Sequence, residues 1–169
     1  LYESEHRQRM QIVAINEPAD LATIMHLTKY DSTHGRFPGK VSVRDQSLVV
    51  DGDRIAVTHH SELSELKWHG VDVVLECSGF YDTRDALASH IEQGASYALL
   101  SQPGEQDIPA VVFGINEEQL SPDMLIASAA SCTTNCIVPV IDVLHRAFGI
   151  ESGTITTIHS AMNDQPVLD

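Results

Sequence analysis

The chain reads as an α/β protein built on a doubly wound, mostly parallel sheet. Three observations predict this. Short apolar runs of strand length recur at 10–16, 71–76, 97–101, 110–114 and 124–127. Capped segments with helical periodicity alternate with them, and turn residues stand at the carboxyl ends of the runs. With 169 residues and 43% hydrophobic content, the chain has enough apolar material for a real core.

Leu1-Tyr2-Glu3-Ser4-Glu5-His6-Arg7 looks like the end of a helix. Met10 to Asn16 follows as a buried strand that closes on the acidic Glu17. Asp20 is placed to cap a short helix running to Leu27. Lys29 to Phe37 is too polar for core and contains Gly35, which fits a functional loop. Val41 to Val57 alternates Val and Ile around Asp51-Gly52-Asp53, the signature of a hairpin or meander. Val71 to Glu76 is the next strand, and Cys77-Ser78-Gly79 is the turn leaving its carboxyl end.

Thr83 to Gln93 predicts a helix stopped by Gly94, and Tyr97 to Ser101 and Ala110 to Gly114 predict further strands. Met124 to Ala127 is a last short strand before Ser131, a good N-cap. From Cys132 to Phe148 an amphipathic helix carries Cys136, Val140, Ile141, Leu144 and Phe148 on one side. Pro139 within it removes one backbone bond and predicts a kink, and Gly149 ends it. Thr154 to His159 is rich in β-branched residues, which puts His159 at the end of a strand. A change of domain is expected near Gly149–Ser152, giving a domain over 1–149 and the beginning of another over 150–169. The chain opens on Leu1 inside a helix-like segment and stops at Asp169 just into a new one, so it reads as a piece of a longer protein.

Ten basic residues against 24 acidic ones give a formal charge of −14. That balance argues against nucleic acid and anionic membrane surfaces, which attract Lys and Arg. No apolar run approaches the roughly 20 residues needed to span a bilayer, and no signal-peptide pattern is present. Three cysteines cannot all pair with one another, which points to a reducing cytoplasm.

Ser131-Cys132-Thr133-Thr134-Asn135-Cys136 is the most informative run. Its first helical residue is a cysteine, facing the partial positive charge of unpaired N–H groups at a helix start. A thiol so placed loses its proton more easily, and the thiolate is the nucleophile. His159, at a strand end, is a candidate base for it. On residue type and spacing alone, this reading stands level with a buried cysteine and a core histidine. Cys132 and Cys136 lack a second thiol pair for a metal, and Cys136 and Cys77 read better as core. His59, His60 and His69 match no metal-ligand spacing and read as a solvated loop, so no metal site is expected. Glu17, after an early strand, is either a ribose-binding acid or a solvated loop residue.

Taken together, these residues resemble the glyceraldehyde-3-phosphate dehydrogenase family. The motifs that carry the resemblance are Ser131 to Cys136 with Pro139, Lys29 to Gly35, Ile15-Asn16-Glu17, Glu76-Cys77-Ser78-Gly79, and His159 at its spacing. The resemblance runs over the whole chain. It implies a Rossmann-like fold missing its first strand, followed by the start of a catalytic domain, and NAD as cofactor. Asn16, Glu17, Ser78, Gly79 and Ser101 would then line the cofactor cleft. Ser131, Cys132 and Thr133 would contact an aldose phosphate substrate, with Cys132 as nucleophile and His159 as its base. The oxidation would pass through a cysteine thiohemiacetal and a thioacyl enzyme. In the family's sheet order the missing strand is central, so its loss leaves two unpaired edges. The isolated segment is therefore expected neither to fold stably nor to bind NAD, whereas the whole protein is expected to be a homotetramer.

Thr156 to Gln165 is most similar to the branch acting on D-erythrose 4-phosphate. The phosphorylating enzymes carry two threonines after the histidine, where this chain has Met162 and Asp164. A thioether offers no donor, and a carboxylate repels a phosphate dianion by about a kcal/mol or more at close range. Hydrolysis to 4-phosphoerythronate, on a route to pyridoxal phosphate, is the expectation. Two departures stand out. Ala129 occupies a position where the family usually has Asn, and Ser61 lies where an Arg often contacts the cofactor. The rival classes are a cysteine hydrolase or acyltransferase, a phosphorylating dehydrogenase, and a non-enzymatic fragment.

Overall fold

Nine strands and three α-helices make up the described part of the chain, residues 2–159 of the computed structural model. They fall into two compact units that divide between Leu66 and Lys67. This is a division of packing, distinct from the functional boundary expected near Gly149.

The first unit opens on a 3-10 turn at Glu5–Gln8 rather than an α-helical end. Strand β1 is shorter than its apolar run, covering only Ala14–Asn16. Helix α1, Leu21–Lys29, starts where expected, and its cap Asp20 accepts from the Thr23 amide at 2.9 Å. Strands β2, Tyr30–Asp31, and β3, Gly35–Arg36, form a small hairpin whose tip is tied by Asp31 Oδ1 to the Thr33 and His34 amides. The predicted meander is present as β4 (Val41–Arg44), β5 (Ser47–Val50) and β6 (Asp53–Thr58), all antiparallel. Both of its two-residue turns take positive φ at both positions: Asp45 and Gln46 at 46° and 58°, Asp51 and Gly52 at 48° and 94°. Such turns match the twist of the strands they join. The first of them lacks a glycine and so gave no signal in the sequence.

Strand β6 then runs beside β1 in parallel, with Asn16 opposite Thr58. Ile24, Leu48, Val50 and Ile55 form the buried centre of this unit, where α1 meets β5 and β6.

The second unit holds a fully parallel sheet of β7 (Val73–Glu76), β8 (Tyr97–Leu100) and β9 (Ile126–Ser128). Helix α2, Arg84–Glu92, is capped by Thr83, whose hydroxyl accepts from the Ala86 amide. It packs Leu87 onto Ala98, Leu100, Ile108 and Ile126. Leu87 is completely buried. Leu87→Ala is expected to cost about 2–5 kcal/mol of unfolding free energy, measured by urea denaturation. Helix α3, Cys132–Phe148, has the predicted bounds and runs through Pro139 unbroken. Among the described residues there are three sheets: β1-β6-β5-β4 and the β2-β3 hairpin in the first unit, and β7-β8-β9 in the second, with β1 and β7 each an end strand of its own sheet.

Several expectations are corrected. Residues 110–114 are not a strand. Ala110 makes a single bridge to Ser128, and Asn116 then takes over the local backbone by accepting from the Val112 amide and donating to the Ala110 carbonyl. A side chain that satisfies these groups replaces the ladder a strand would need. Residues 154–159 likewise form no strand, and Ile155 and Ile158 are exposed. Their β-branched content favours extended backbone, but a strand also requires a neighbour to bond with. Cys77 and Cys136 are exposed rather than core, because the sulfur of a strand-end turn and one of an uncovered helix face meet no packing layer. The apolar side of α3 is open in the same way, with Val140, Leu144 and Phe148 exposed. Met162 and Asp164 lie outside the described residues.

Candidate active site

In the second unit, β7, β8 and β9 run parallel, so their carboxyl ends share one edge, spaced about 4.8 Å from strand to strand. Leaving those ends are Cys77-Ser78-Gly79, Ser101, and the segment Ser128 to Cys132. In open α/β sheets this edge is where ligands bind. The fold therefore brings together four of the residues singled out in the sequence, Ser78, Gly79, Ser101 and Cys132.

Cys132 is the first residue of α3. Ser131 caps it, with extended backbone and a hydroxyl that accepts from the Thr134 amide at 3.0 Å. The sulfur is exposed, and His159 Nε2 stands 3.2 Å from it. Thr133 Oγ1 lies further off at 4.0 Å. The thiol is held below its ordinary range, first by the hydrogen bond from His159, which outweighs the upward push of partial desolvation. The Thr133 hydroxyl and amide and the charge of the imidazole add to it. Here a cysteine and a histidine from separate segments meet at a hydrogen-bonding distance, with the positive end of a helix behind the sulfur.

The turn before the nucleophile is held by residues to which the sequence assigned no role. Ala130 has φ at 59°, a left-handed conformation that alanine rarely adopts. Fully buried Ser128 holds it there, accepting from the Ala130 amide at 3.0 Å and donating to the Gln102 carbonyl at 2.6 Å. Asn135 donates to the carbonyls of Ala129 at 2.7 Å and Ser131 at 2.9 Å. A serine inside the apolar run 124–130 was the available signal for Ser128.

In the first unit, Asn16 staples the carboxyl ends of β1 and β6. Its oxygen accepts from Thr58 Oγ1 and the His60 amide, each at 2.9 Å, and its nitrogen donates to the His60 carbonyl at 3.0 Å. Asn16 therefore works on the protein's own backbone, beside an exposed Glu17. Glu17 is fixed by its amide on the Thr58 carbonyl, and one carboxylate oxygen accepts from the Ala19 amide. His59 and His60 bond to Glu17 and Glu65. Among the described residues, no group of three or more His, Cys, Asp or Glu is placed to hold a metal ion. No helix among them is long and apolar enough to cross a membrane.

Two family models match this chain. The model of the glyceraldehyde 3-phosphate dehydrogenase NAD-binding domain matches residues 1–84, and that of the same family's C-terminal domain matches residues 131–169. The chain belongs to the glyceraldehyde 3-phosphate dehydrogenase family. It is an oxidoreductase of that family, with a Rossmann-like NAD-binding domain and NAD as cofactor. The residues present fit that cofactor. Glu17 offers a carboxylate at the end of a parallel strand, and Gly79, with φ at 80° and no Cβ, leaves the backbone open to close approach. A cysteine hydrolase of this family-independent Cys/His type would need no such domain. The match to the C-terminal domain begins at Ser131, the cap that presents Cys132.

Proposed function

We propose that the full-length protein oxidises D-erythrose 4-phosphate to 4-phosphoerythronate with NAD, as a step toward pyridoxal phosphate. What carries the reading is the 3.2 Å contact between Cys132 Sγ and His159 Nε2 at the head of a helix. The hydrolytic outcome rests on sequence: Met162 and Asp164 stand where the phosphorylating enzymes bear phosphate-binding threonines.

The Cys132 thiolate adds to the aldehyde carbon, forming the C–S bond of a hemithioacetal. Amide N–H groups in the first turn of α3 have no intrahelical acceptor and stabilise the developing oxyanion. His159 takes the hydroxyl proton during the oxidation, which leaves a thioester on the sulfur. NAD, when bound, supplies the hydride acceptor. His159 releases that proton to solvent and, neutral again, takes a proton from water as it adds to the thioester carbonyl; the C–S bond then breaks, the acid leaves and the thiolate returns. Ser131 and Thr133, on either side of the sulfur, hold the substrate. Asn16, Glu17, Ser78, Gly79 and Ser101 serve the cofactor, with Glu17 accepting from the ribose hydroxyls. The working assembly is a homotetramer in the cytoplasm.

The test is NAD reduction by the full-length protein with erythrose 4-phosphate and with glyceraldehyde 3-phosphate, each with and without inorganic phosphate. The expected result is turnover of erythrose 4-phosphate at a rate that phosphate changes by less than about twofold, since water and not phosphate resolves the thioester. A strict phosphate requirement together with preference for the triose would instead make this a phosphorylating member of the family.

A further inference from the structure

A chain of buried polar groups ends at the Ser78-Gly79 turn. Trp68, His90 and Glu76 are 7%, 2% and 7% exposed, far from usual for two ionisable side chains side by side. The Trp68 indole can only donate, and its Nε1 lies 3.0 Å from His90 Nδ1. That nitrogen must therefore accept, which puts the ring proton on Nε2. Nε2 in turn donates to Glu76 Oε2 at 3.0 Å. The other carboxylate oxygen accepts from the Ser78 amide at 2.7 Å. Burial alone would push the Glu76 carboxyl up, but the bonds from His90 and from the Ser78 hydroxyl and amide hold it below its ordinary range. The Glu76 carbonyl accepts from the Ser101 amide at 3.0 Å, so one residue is tied both to the turn that leaves its own strand and to the end of β8. Beyond Ser78, its hydroxyl accepts from the Phe80 amide at 3.2 Å across Gly79.

A network serving stability alone has no need to end on the backbone of a strand-end turn. We propose that His90 is a positioning residue for the cofactor. Through Glu76 it presets the Ser78-Gly79 backbone against which NAD lies, while Trp68 selects the imidazole tautomer that can do so. This rests on the reading that Ser78 and Gly79 line the NAD site.

The experiment measures NAD affinity of the full-length protein by calorimetry and hydrogen exchange of the Ser78 amide, in H90L, H90Q, L87A and G79A. Leucine leaves the indole and the carboxylate without their partner. H90L is expected to weaken NAD binding by about 10-fold or more and to speed Ser78 exchange. Glutamine can accept from the indole and donate to the carboxylate, so H90Q should restore most of the affinity. L87A destabilises the same helix without touching the relay, and its NAD affinity should stay within about twofold of the parent.

Normal NAD affinity in H90L, or an equal loss in L87A, overturns the role of His90. If H90L does not fold, E76Q replaces it, and unchanged affinity there overturns the proposal equally. G79A separates the two layers. Normal affinity in G79A would remove the turn from the cofactor site and sink both readings, whereas weak binding in G79A with normal binding in H90L sinks only the relay.

Discussion

Cys132→Ser is expected to lower NAD reduction by the full-length protein by at least about 10³-fold, with melting behaviour unchanged. The side chain is exposed and bonds to His159 and, at longer range, to Thr133, so folding loses little. The chemistry loses its nucleophile. A serine hydroxyl stays protonated under conditions where this thiol is held below its ordinary range by the imidazole and by Thr133. A thousandfold corresponds to about 4 kcal/mol of transition-state stabilisation, more than a surface hydrogen bond supplies and in the range of a lost nucleophile. Steady-state rates on erythrose 4-phosphate decide it, and an undiminished rate in the serine variant would remove Cys132 from the reaction.

His159→Ala should produce the second largest effect, and it has a signature in pH. In the parent protein, the hydrogen bond to His159 is the leading cause of the lowered thiol. Thiolate therefore persists as the pH falls below the ordinary cysteine range, and iodoacetamide should alkylate Cys132 there. Without the imidazole the titration moves back up toward the free-cysteine value of about 8.5, so alkylation is lost at a higher pH. Turnover should fall by about 10²- to 10⁴-fold, the usual worth of a positioned general base. Peptide mapping of the alkylated sulfur across pH checks the first part, since Cys77 and Cys136 are also exposed. An alkylation profile that does not move would mean that His159 leaves the sulfur alone.

The elements that bear on chemistry were the most legible. The bounds of α3, its Ser131 cap and the cysteine at its first position follow from signals within a few residues of one another. The caps Asp20 and Thr83 and the turn at Asp51-Gly52 are local in the same sense. The failures were those of partnership. Residues 110–114 and 154–159 have strand composition, yet the first yields its backbone to Asn116 and the second has no ladder among the described residues. Cys77 and Cys136 look like core by type, but what covers a side chain is a property of the neighbouring layer. Asn16 belongs to a motif read as cofactor-binding, and its side chain also holds His60 and Thr58, partners 42 to 44 residues away that no local signal announces.

From the sequence alone came the helix that begins on a cysteine, the acid after an early strand, the glycine turn after another, and the family these motifs resemble. Each is set by neighbours a few bonds away, where propensity and capping act. Only the tertiary structure brought His159 to 3.2 Å from that sulfur, held Ala130 left-handed with Ser128, and linked Trp68 to Ser78 through His90 and Glu76. The bonds of His159 to Cys132, of Ser128 to Gln102, of Trp68 to His90 and of His90 to Glu76 join segments 14 to 27 residues apart. Parallel pairing of β7, β8 and β9 aligns the strand ends that carry Ser78, Ser101 and the turn before Cys132, a register that no single stretch of sequence contains.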